Sequence, residues 1–456
     1  MPVVMTKALI SAAHKSSGKT CVATGLIAAL SERGLQIQPF KKGPDYIDPK
    51  WLSKAADRPC FNLDFNTQSD GEIIQTFDTH SADINLIEGN KGLYDGVDLE
   101  GANSNAALAH LLGTPIILVL DCEGTTRGIA PLLLGYKSFD PGINFLGVIL
   151  NKVGGARHES KLRRVVEHYT DFSILGCVPK CTEMHLQERH LGLKPANEDS
   201  YAEKKIEEIK NIIQDSVSLD IFTELSKQPR NTTSTKPEQK QEYQDLKIGY
   251  TLDESFGFYY PDDIEVFSRH GAELVMIDTI RDSSLPDIDA LFIGGGFPET
   301  QMHKLQANAE FRQSIKDAIN AGMPTYAECG GLMYLTNSIT WNDDTCEMVG
   351  ILDAETIMCD KPQGRGYVEL ETTDGMLWPQ HSSGFSFSAH EFHYSMLNMS
   401  SPDWRYAYKV KRGQGIDGNN DGLIYKNLLA SYCHLRDTSR FHWINSFLEF
   451  VKTCKN

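Results

Sequence analysis

Short aliphatic runs alternate with helix-length amphipathic segments twice along this chain, and the break between the two series constrains the fold more than any other feature. In the first series Lys7 to Ser11, Gln36 to Phe40, Ile84 to Glu88, Pro115 to Asp121, Phe145 to Asn151 and Ser173 to Pro179 read as strands. Thr20 to Arg33 and Glu159 to His168 are among the amphipathic segments between them. Strands that recur with helices in between need crossover connections, which predicts βαβ units in a mostly parallel sheet with helices on both faces. From about Ser226 to Asp245 the aliphatic periodicity gives way to Pro, Thr, Lys, Gln and Glu, the composition of a solvated linker. Strand-like runs then restart at Leu246 to Thr251, Glu273 to Ile277, Ala290 to Gly294 and Pro324 to Ala327. The expected fold is α/β in two domains, over residues 1–225 and 246–456, joined by a linker over 226–245. A chain of 456 residues is long enough for two such cores.

The first series carries a phosphate-binding signature. Ala13 to Thr20 reads AHKSSGKT, directly after a strand and opening a helix, which is where backbone N–H groups and a helix N-terminus cradle phosphates. Lys15, Ser16, Ser17 and Gly18 form the loop, Lys19 reaches the β/γ oxygens and the Thr20 hydroxyl serves Mg²⁺. Ala13 stands where such loops usually have their first glycine. Glu88, ending the strand Ile84 to Glu88, is the expected metal carboxylate, because ligands of open α/β sheets gather at strand carboxyl ends. A second cluster, KKGPDYIDP, sets Lys41, Lys42, Asp45 and Asp48 around a Gly-Pro turn on the same edge. Its lysines are expected to attract an anionic substrate, and its acids to position Mg²⁺ or the reacting group; the alternative is a turn whose aspartates cap local N–H groups.

The second series carries a nucleophile. Pro324 to Ala327, then Glu328-Cys329-Gly330-Gly331 and the helix-like LMYL, make a strand, a sharp turn and a helix, the geometry that exposes a thiol and aims a helix N-terminus at it. His434, at the end of ASYCHL, is the expected general base. The glycines from Gly294 to Gly296 and Gly330 allow backbone N–H groups to approach a developing oxyanion, with Gly295, Gly296 and Gly330 the expected oxyanion site.

Composition narrows the remaining classes. A formal net charge of -17 opposes binding to nucleic acid, and no apolar run approaches the roughly 18 to 20 residues of a membrane span. The N-terminus MPVVMTKALIS enters a strand without a secretory pattern, so a cytoplasmic location is expected. The ten cysteines are scattered; Cys177 and Cys181 have a loose metal-like spacing with no second pair, so no metal-thiolate site is expected.

In order along the chain, the glycines from Gly294 to Gly296, Cys329 with Gly330, and His434 resemble a class I glutamine amidotransferase, with one departure. That class often has an acid two residues beyond the histidine, where this chain has Arg436, so a third member is absent or supplied from elsewhere. The whole chain resembles the cobyrinate a,c-diamide synthase family through the phosphate loop, KKGPDYIDP, EGNKGLYDG (Glu88 to Gly96), RHLGL (Arg189 to Leu193), DESFGFYYPD (Asp253 to Asp262), GGGFPE (Gly294 to Glu299), AECGGLMYL and HEFHYS (His390 to Ser395). The resemblance implies an N-terminal dethiobiotin-synthetase-like ATP domain and a C-terminal glutaminase domain. It implies ATP- and glutamine-dependent amidation of the a- and c-carboxylates of a modified tetrapyrrole, with ATP and Mg²⁺ required. By position, Lys19, Thr20 and Asn151 would hold the nucleotide, and Thr20, Asp45 and Glu88 the metal. Asp45, Asp48 and Asp95 would line the carboxylate-activation site, and Tyr46 and Ile47 would face the substrate. Relatives that amidate siroheme or nickel sirohydrochlorin share the pattern, and the segment Cys359 to Val368 leaves the branch open. A switch ATPase of the division-site-positioning type shares the N-terminal architecture, but carries an early loop lysine where this chain has His14. A homodimer is the expected assembly.

Overall fold

The computed structural model describes residues 4–186, 188–189, 192–193, 200–229, 240–380, 383–400 and 403–455. The chain divides into two compact units, Met1–Lys236 and Pro237–Asn456.

The first unit is built on β1 (Val4–Ala12), β2 (Ile37–Lys42), β3 (Phe61–Leu63), β4 (Ile84–Glu88), β5 (Ile116–Asp121), β6 (Phe145–Val153) and β7 (Ile174–Pro179). They lie in the order β3-β2-β4-β1-β5-β6-β7, and every neighbouring pair is parallel. Alternate residues of β1 serve opposite faces, as the twofold side-chain period of a strand dictates. Ala8 and Ile10 join a core with Leu26, Ile209 and Ile213, while Leu9 joins another with Leu108, Leu133 and Leu162. Helices therefore cover both faces. Helix α1 (Lys19–Glu32) lies so close to the helix Ser200–Ser216 that a Cβ on Gly25 would meet Ile213 Cγ1 at 2.4 Å. Only glycine permits that approach.

Within the segment read as linker, Lys227–Pro229 pairs antiparallel with the start of β1, Val4 opposite Pro229. Tyr243 is buried in the core of the second unit. Both ends of Ser226–Asp245 are thus tied into a unit, while residues 230–239 lie outside the described residues, as do His190 and Leu191 of the RHLGL motif.

The second unit has a nine-stranded sheet. Glu273–Ile277, Lys247–Thr251, Ala290–Ile293, Thr325–Glu328 and Leu428–Ser431 are parallel neighbours in that order. Asn420–Tyr425, Arg405–Arg412, Gly364–Thr372 and Ser386–His393 extend it antiparallel. That extension is not part of the sequence expectation: its strands mix polar and apolar residues, as in Arg405–Arg412, which suits an antiparallel sheet with one face solvated. Among the described residues no helix is long and apolar enough to cross a membrane.

Candidate functional site

Because β2, β4 and β1 are neighbours, the loops leaving their carboxyl ends meet on one edge of the first unit. Lys41 stands opposite Glu88 in the ladder, and Glu88 opposite Ile10. The loop from β1 into α1 passes Ser16 at φ 64° and Gly18 at φ 86°, and a Cβ on Gly18 would meet Asn151 Nδ2 at 2.3 Å. From β6, Asn151 Nδ2 donates to the Ser17 carbonyl at 2.8 Å, and Lys152 Nζ, ion-paired with Asp121, donates to the Ser16 carbonyl at 3.1 Å. Ser16, Ser17, Gly18, Lys19, Thr20 and Asn151 thus form one constellation, with Lys15 exposed beside it.

Lys19 Nζ donates to the Lys91 carbonyl at 2.7 Å, which ties the phosphate loop to the loop after β4. Burial, aided by the Lys41 charge, lowers its ammonium to about 8. Thr20 Oγ1 donates to Glu88 Oε1 at 2.6 Å. Glu88 is 1% exposed, and its second oxygen is buried with no hydrogen-bond partner among the described residues. Burial pushes its carboxyl up to about 7 against the attraction of Lys41.

Neither lysine of the turn is open to solvent. Lys41 Nζ lies 2.5 Å from Asp48 Oδ2, 3.3 Å from Glu88 Oε1 and 4.0 Å from Asp45 Oδ2. Burial opposes its charge, but the three carboxylates outweigh burial and raise the ammonium above its ordinary value. Lys42 is also buried; it donates to Asn90 Oδ1 at 3.0 Å, and burial lowers it to about 8. The substrate-attracting role expected of this pair meets a Lys41 already balanced by three internal carboxylates and a Lys42 bonded to an amide, on a β2 buried along its whole length.

Asp45 Oδ1 accepts the N–H groups of Ile47 at 2.8 Å and Asp48 at 3.1 Å, at the start of helix α2 (Ile47–Ala56). Burial and the Asp48 charge push its carboxyl up to about 6, an effect that water moderates because the side chain is 36% exposed. Tyr46 is buried and Ile47 half-buried. Asp95 sits on an exposed loop, where its Oδ2 accepts the Gly92 N–H at 2.9 Å. One organiser of this edge carried no signal in the sequence. The buried Asn105 donates to Ser11 Oγ at 2.9 Å and to the Asn90 carbonyl at 2.6 Å, and accepts from the Asn90 N–H at 3.2 Å. It ties β1 to the loop after β4.

In the second unit the strand Thr325–Glu328 ends at Cys329, whose φ of 46° and ψ of -101° put a non-glycine residue in a strained turn before the helix Gly330–Leu335. The Cys329 N–H donates to the Ser431 carbonyl at 2.7 Å, fixing the turn to the neighbouring strand. Three residues beyond Ser431 lies His434, 3% exposed. Its Nδ1 lies 3.2 Å from Glu328 Oε2, and the Cys329 sulfur is near enough to act on its charge. Burial alone would hold the ring neutral, but those two partners override it and raise the imidazole to about 10. A thiol beside a base that readily holds a proton is equipped for nucleophilic attack on an acyl carbon.

The glycines close around the pair. A Cβ on Gly295 would meet His434 Cε1 at 2.5 Å, and one on Gly330 would meet Gly296 N at 2.9 Å, so Gly295, Gly296, Gly330, Cys329 and His434 are brought together. Gly294 is set apart, since its N–H donates to Tyr259 Oη at 2.9 Å. The strand Ser386–His393 forms a further wall. His390 exchanges backbone hydrogen bonds with His434, their rings lie 5.5 Å apart, and the Phe392 carbonyl lies 3.9 Å from Cys329 Sγ. Glu328 is the functional group that sequence reasoning passed over, although it adjoins the nucleophile.

Family models match both halves: a CobQ/CobB/MinD/ParA nucleotide binding domain over residues 10–193, and a CobB/CobQ-like glutamine amidotransferase domain over residues 247–440. The cobyrinate a,c-diamide synthase of Magnetococcus marinus is 42% identical over 97% of this chain and 96% of its own. That of Methanosarcina barkeri is 38% identical over 98% and 96%, and that of Listeria monocytogenes serovar 1/2a is 36% identical over 94% and 96%. With both domain models in order and similarity along nearly the full length, the chain belongs to the cobyrinate a,c-diamide synthase family of glutamine-dependent amidating ligases.

Proposed function

We propose that this chain converts the a- and c-side-chain carboxylates of a cobyrinate-like tetrapyrrole to amides, using ATP to activate each carboxylate and glutamine as the source of nitrogen. The observation that carries the reading is that one chain holds both a phosphate loop facing a half-partnered acid and a cysteine–histidine site on a strained turn.

A carboxylate is a poor electrophile. One of its oxygens attacks the γ-phosphoryl group, ADP leaves, and ammonia displaces phosphate from the resulting acyl phosphate. The loop from Lys15 to Thr20 cradles the phosphates, Lys19 neutralises charge on the β/γ oxygens, and Asn151 keeps the loop in shape from below. Mg²⁺ fits here: the Thr20 hydroxyl and the buried Glu88 Oε2, which has no hydrogen-bond partner among the described residues, would hold it. When bound it supplies charge neutralisation on the phosphates. Asp48 holds Lys41 in place between the acids, and Asp45, Tyr46, Ile47 and Asp95 border the space into which the carboxylate comes. In the second unit Cys329 Sγ attacks the glutamine amide carbon, the C–N bond breaks, and His434 passes the sulfur's proton to the departing ammonia. Water then hydrolyses the thioester with His434 as base, while N–H groups near Gly295, Gly296 and Gly330 face the oxyanion.

The test is incubation of the purified full-length chain with ATP, Mg²⁺, glutamine and, in parallel, cobyrinate, siroheme and nickel sirohydrochlorin. The expected product mass is that of cobyrinate diamide. Amidation of siroheme or nickel sirohydrochlorin with cobyrinate untouched would overturn the assignment of substrate. A homodimer is the assembly we expect for the active enzyme, to be read from its sedimentation.

A further inference from the structure

Where class I glutaminases often carry an acid, two residues after the histidine, this chain has Arg436. That side chain is fully buried, 2.6 Å from Asp262 and stacked over the Tyr260 ring, so the position contributes no acid to His434. We infer that Glu328, the residue immediately before the nucleophile, is the positioning acid of the glutaminase site. This inference rests on the glutaminase reading above.

Three contacts support it. Glu328 Oε2 lies 3.2 Å from His434 Nδ1. Its Oε1 accepts the Leu435 N–H at 2.8 Å and the Tyr326 hydroxyl at 2.7 Å. One carboxylate, 3% exposed, thus grips both the imidazole and the backbone just after it. The sheet provides the reach: Glu328 pairs with Ser431 in parallel register, which brings the residues after Ser431 alongside the end of the nucleophile's own strand. On its other side His434 faces His390, an imidazole that burial and the His434 charge hold neutral. Glu328 is therefore the carboxylate placed against a protonated His434. With Nδ1 held by the carboxylate, Nε2 is left for the sulfur. The proton moves from Cys329 to His434 and on to the leaving ammonia; Glu328 fixes the tautomer, stabilises the imidazolium and takes no proton itself.

Glutamine at position 328 separates this role from a structural one. Its single amide oxygen can still accept the Leu435 N–H and the Tyr326 hydroxyl, keeping the loop in place. Its NH₂ would then face Nδ1 and demand an unprotonated nitrogen there, which is the wrong tautomer for catalysis. In the full-length enzyme, Glu328→Gln should lower kcat for glutamine hydrolysis by about 10²- to 10⁴-fold with little change in KM. Amidation driven by ammonium salts should persist, and Glu328→Asp should recover part of the glutaminase rate. A Glu328→Gln kcat within about threefold of wild type would overturn the inference. So would equal loss of the glutamine- and ammonium-driven reactions, which marks a structural role. A wild-type enzyme that hydrolyses no glutamine would instead remove the functional reading on which the inference rests.

Discussion

The two sites differ in how completely their charged groups satisfy one another. In the second unit the thiol, the imidazole and the adjacent carboxylate form a closed chain of partners, held by backbone bonds from Ser431, Leu435 and His390. In the first unit one ammonium, Lys41, is shared among three carboxylates, and one oxygen of Glu88 is buried without a hydrogen-bond partner among the described residues. A closed set is preorganised and needs only its substrate. An open set at low dielectric is costly until something positive completes it, as a metal bound to a nucleotide would. The difference teaches that the glutaminase half should tolerate the loss of nucleotide chemistry, whereas the activation half depends on a ligand to balance its own charges.

The strongest way to break that comparison is to remove the chemistry of one site and look for damage at the other. Cys329→Ser should abolish glutamine-dependent amidation while leaving amidation with ammonium salts, because only the ammonia source is gone. Loss of both in a folded protein would show that the sites do not divide the work. Lys19→Ala should remove ATP-dependent amidation from either nitrogen source, since Lys19 is the lysine that opens α1 directly after the loop, where a β/γ-phosphate lysine is expected. Residual glutamine hydrolysis should survive in that variant. Amidation at the wild-type rate would mean that ATP binds elsewhere.

How far each site can be read from sequence follows from how local it is. AHKSSGKT is legible because strand, loop and helix are consecutive, and the strained turn at Cys329 is legible for the same reason. The partnership of Glu328 with His434 is not, because it exists only through the register that sets Glu328 beside Ser431. Lys41 misleads in the same way. As a sequence it is a basic residue at a loop, but β2 lies against β4 and buries it opposite Glu88. The antiparallel strands between Gly364 and Tyr425 escape because their polar faces weaken the aliphatic signal that marks the parallel half.

A smaller effect, on stability rather than on a whole reaction, sharpens the account of the open site. Lys41→Met keeps much of the volume but removes the cation that lies within 4.0 Å of Asp45, Asp48 and Glu88, leaving them only the weaker attraction of Lys19. Removing one partner of a buried ion pair costs about 3–5 kcal/mol, which for a unit of this size corresponds to a fall in Tm of roughly 6–20 °C. Mg²⁺ with ATP should return part of that loss by supplying the missing positive charge. Calorimetry with and without ligand measures both. A Tm unchanged by the substitution would show that the three acids do not depend on Lys41.

The smallest effect separates the two aspartates of the turn, which the sequence presents as equivalent. Asp45 uses one oxygen to cap the start of α2 and is a third exposed, so asparagine can accept the same two N–H bonds. Asp48 is 17% exposed and makes the shortest contact to Lys41, and asparagine there removes a charge that the buried ammonium needs. Asp48→Asn should therefore cost about 1–3 kcal/mol, and Asp45→Asn less than about 0.5 kcal/mol. Amidation should follow the same order, with Cys329 equally reactive towards an alkylating glutamine analogue in both variants. If Asp45→Asn instead abolished amidation at unchanged stability, its carboxylate would be acting on substrate or metal in addition to capping the helix. Near-normal amidation in both variants would reduce the turn to a structural element and leave Thr20 and Glu88 as the groups that meet the nucleotide's metal.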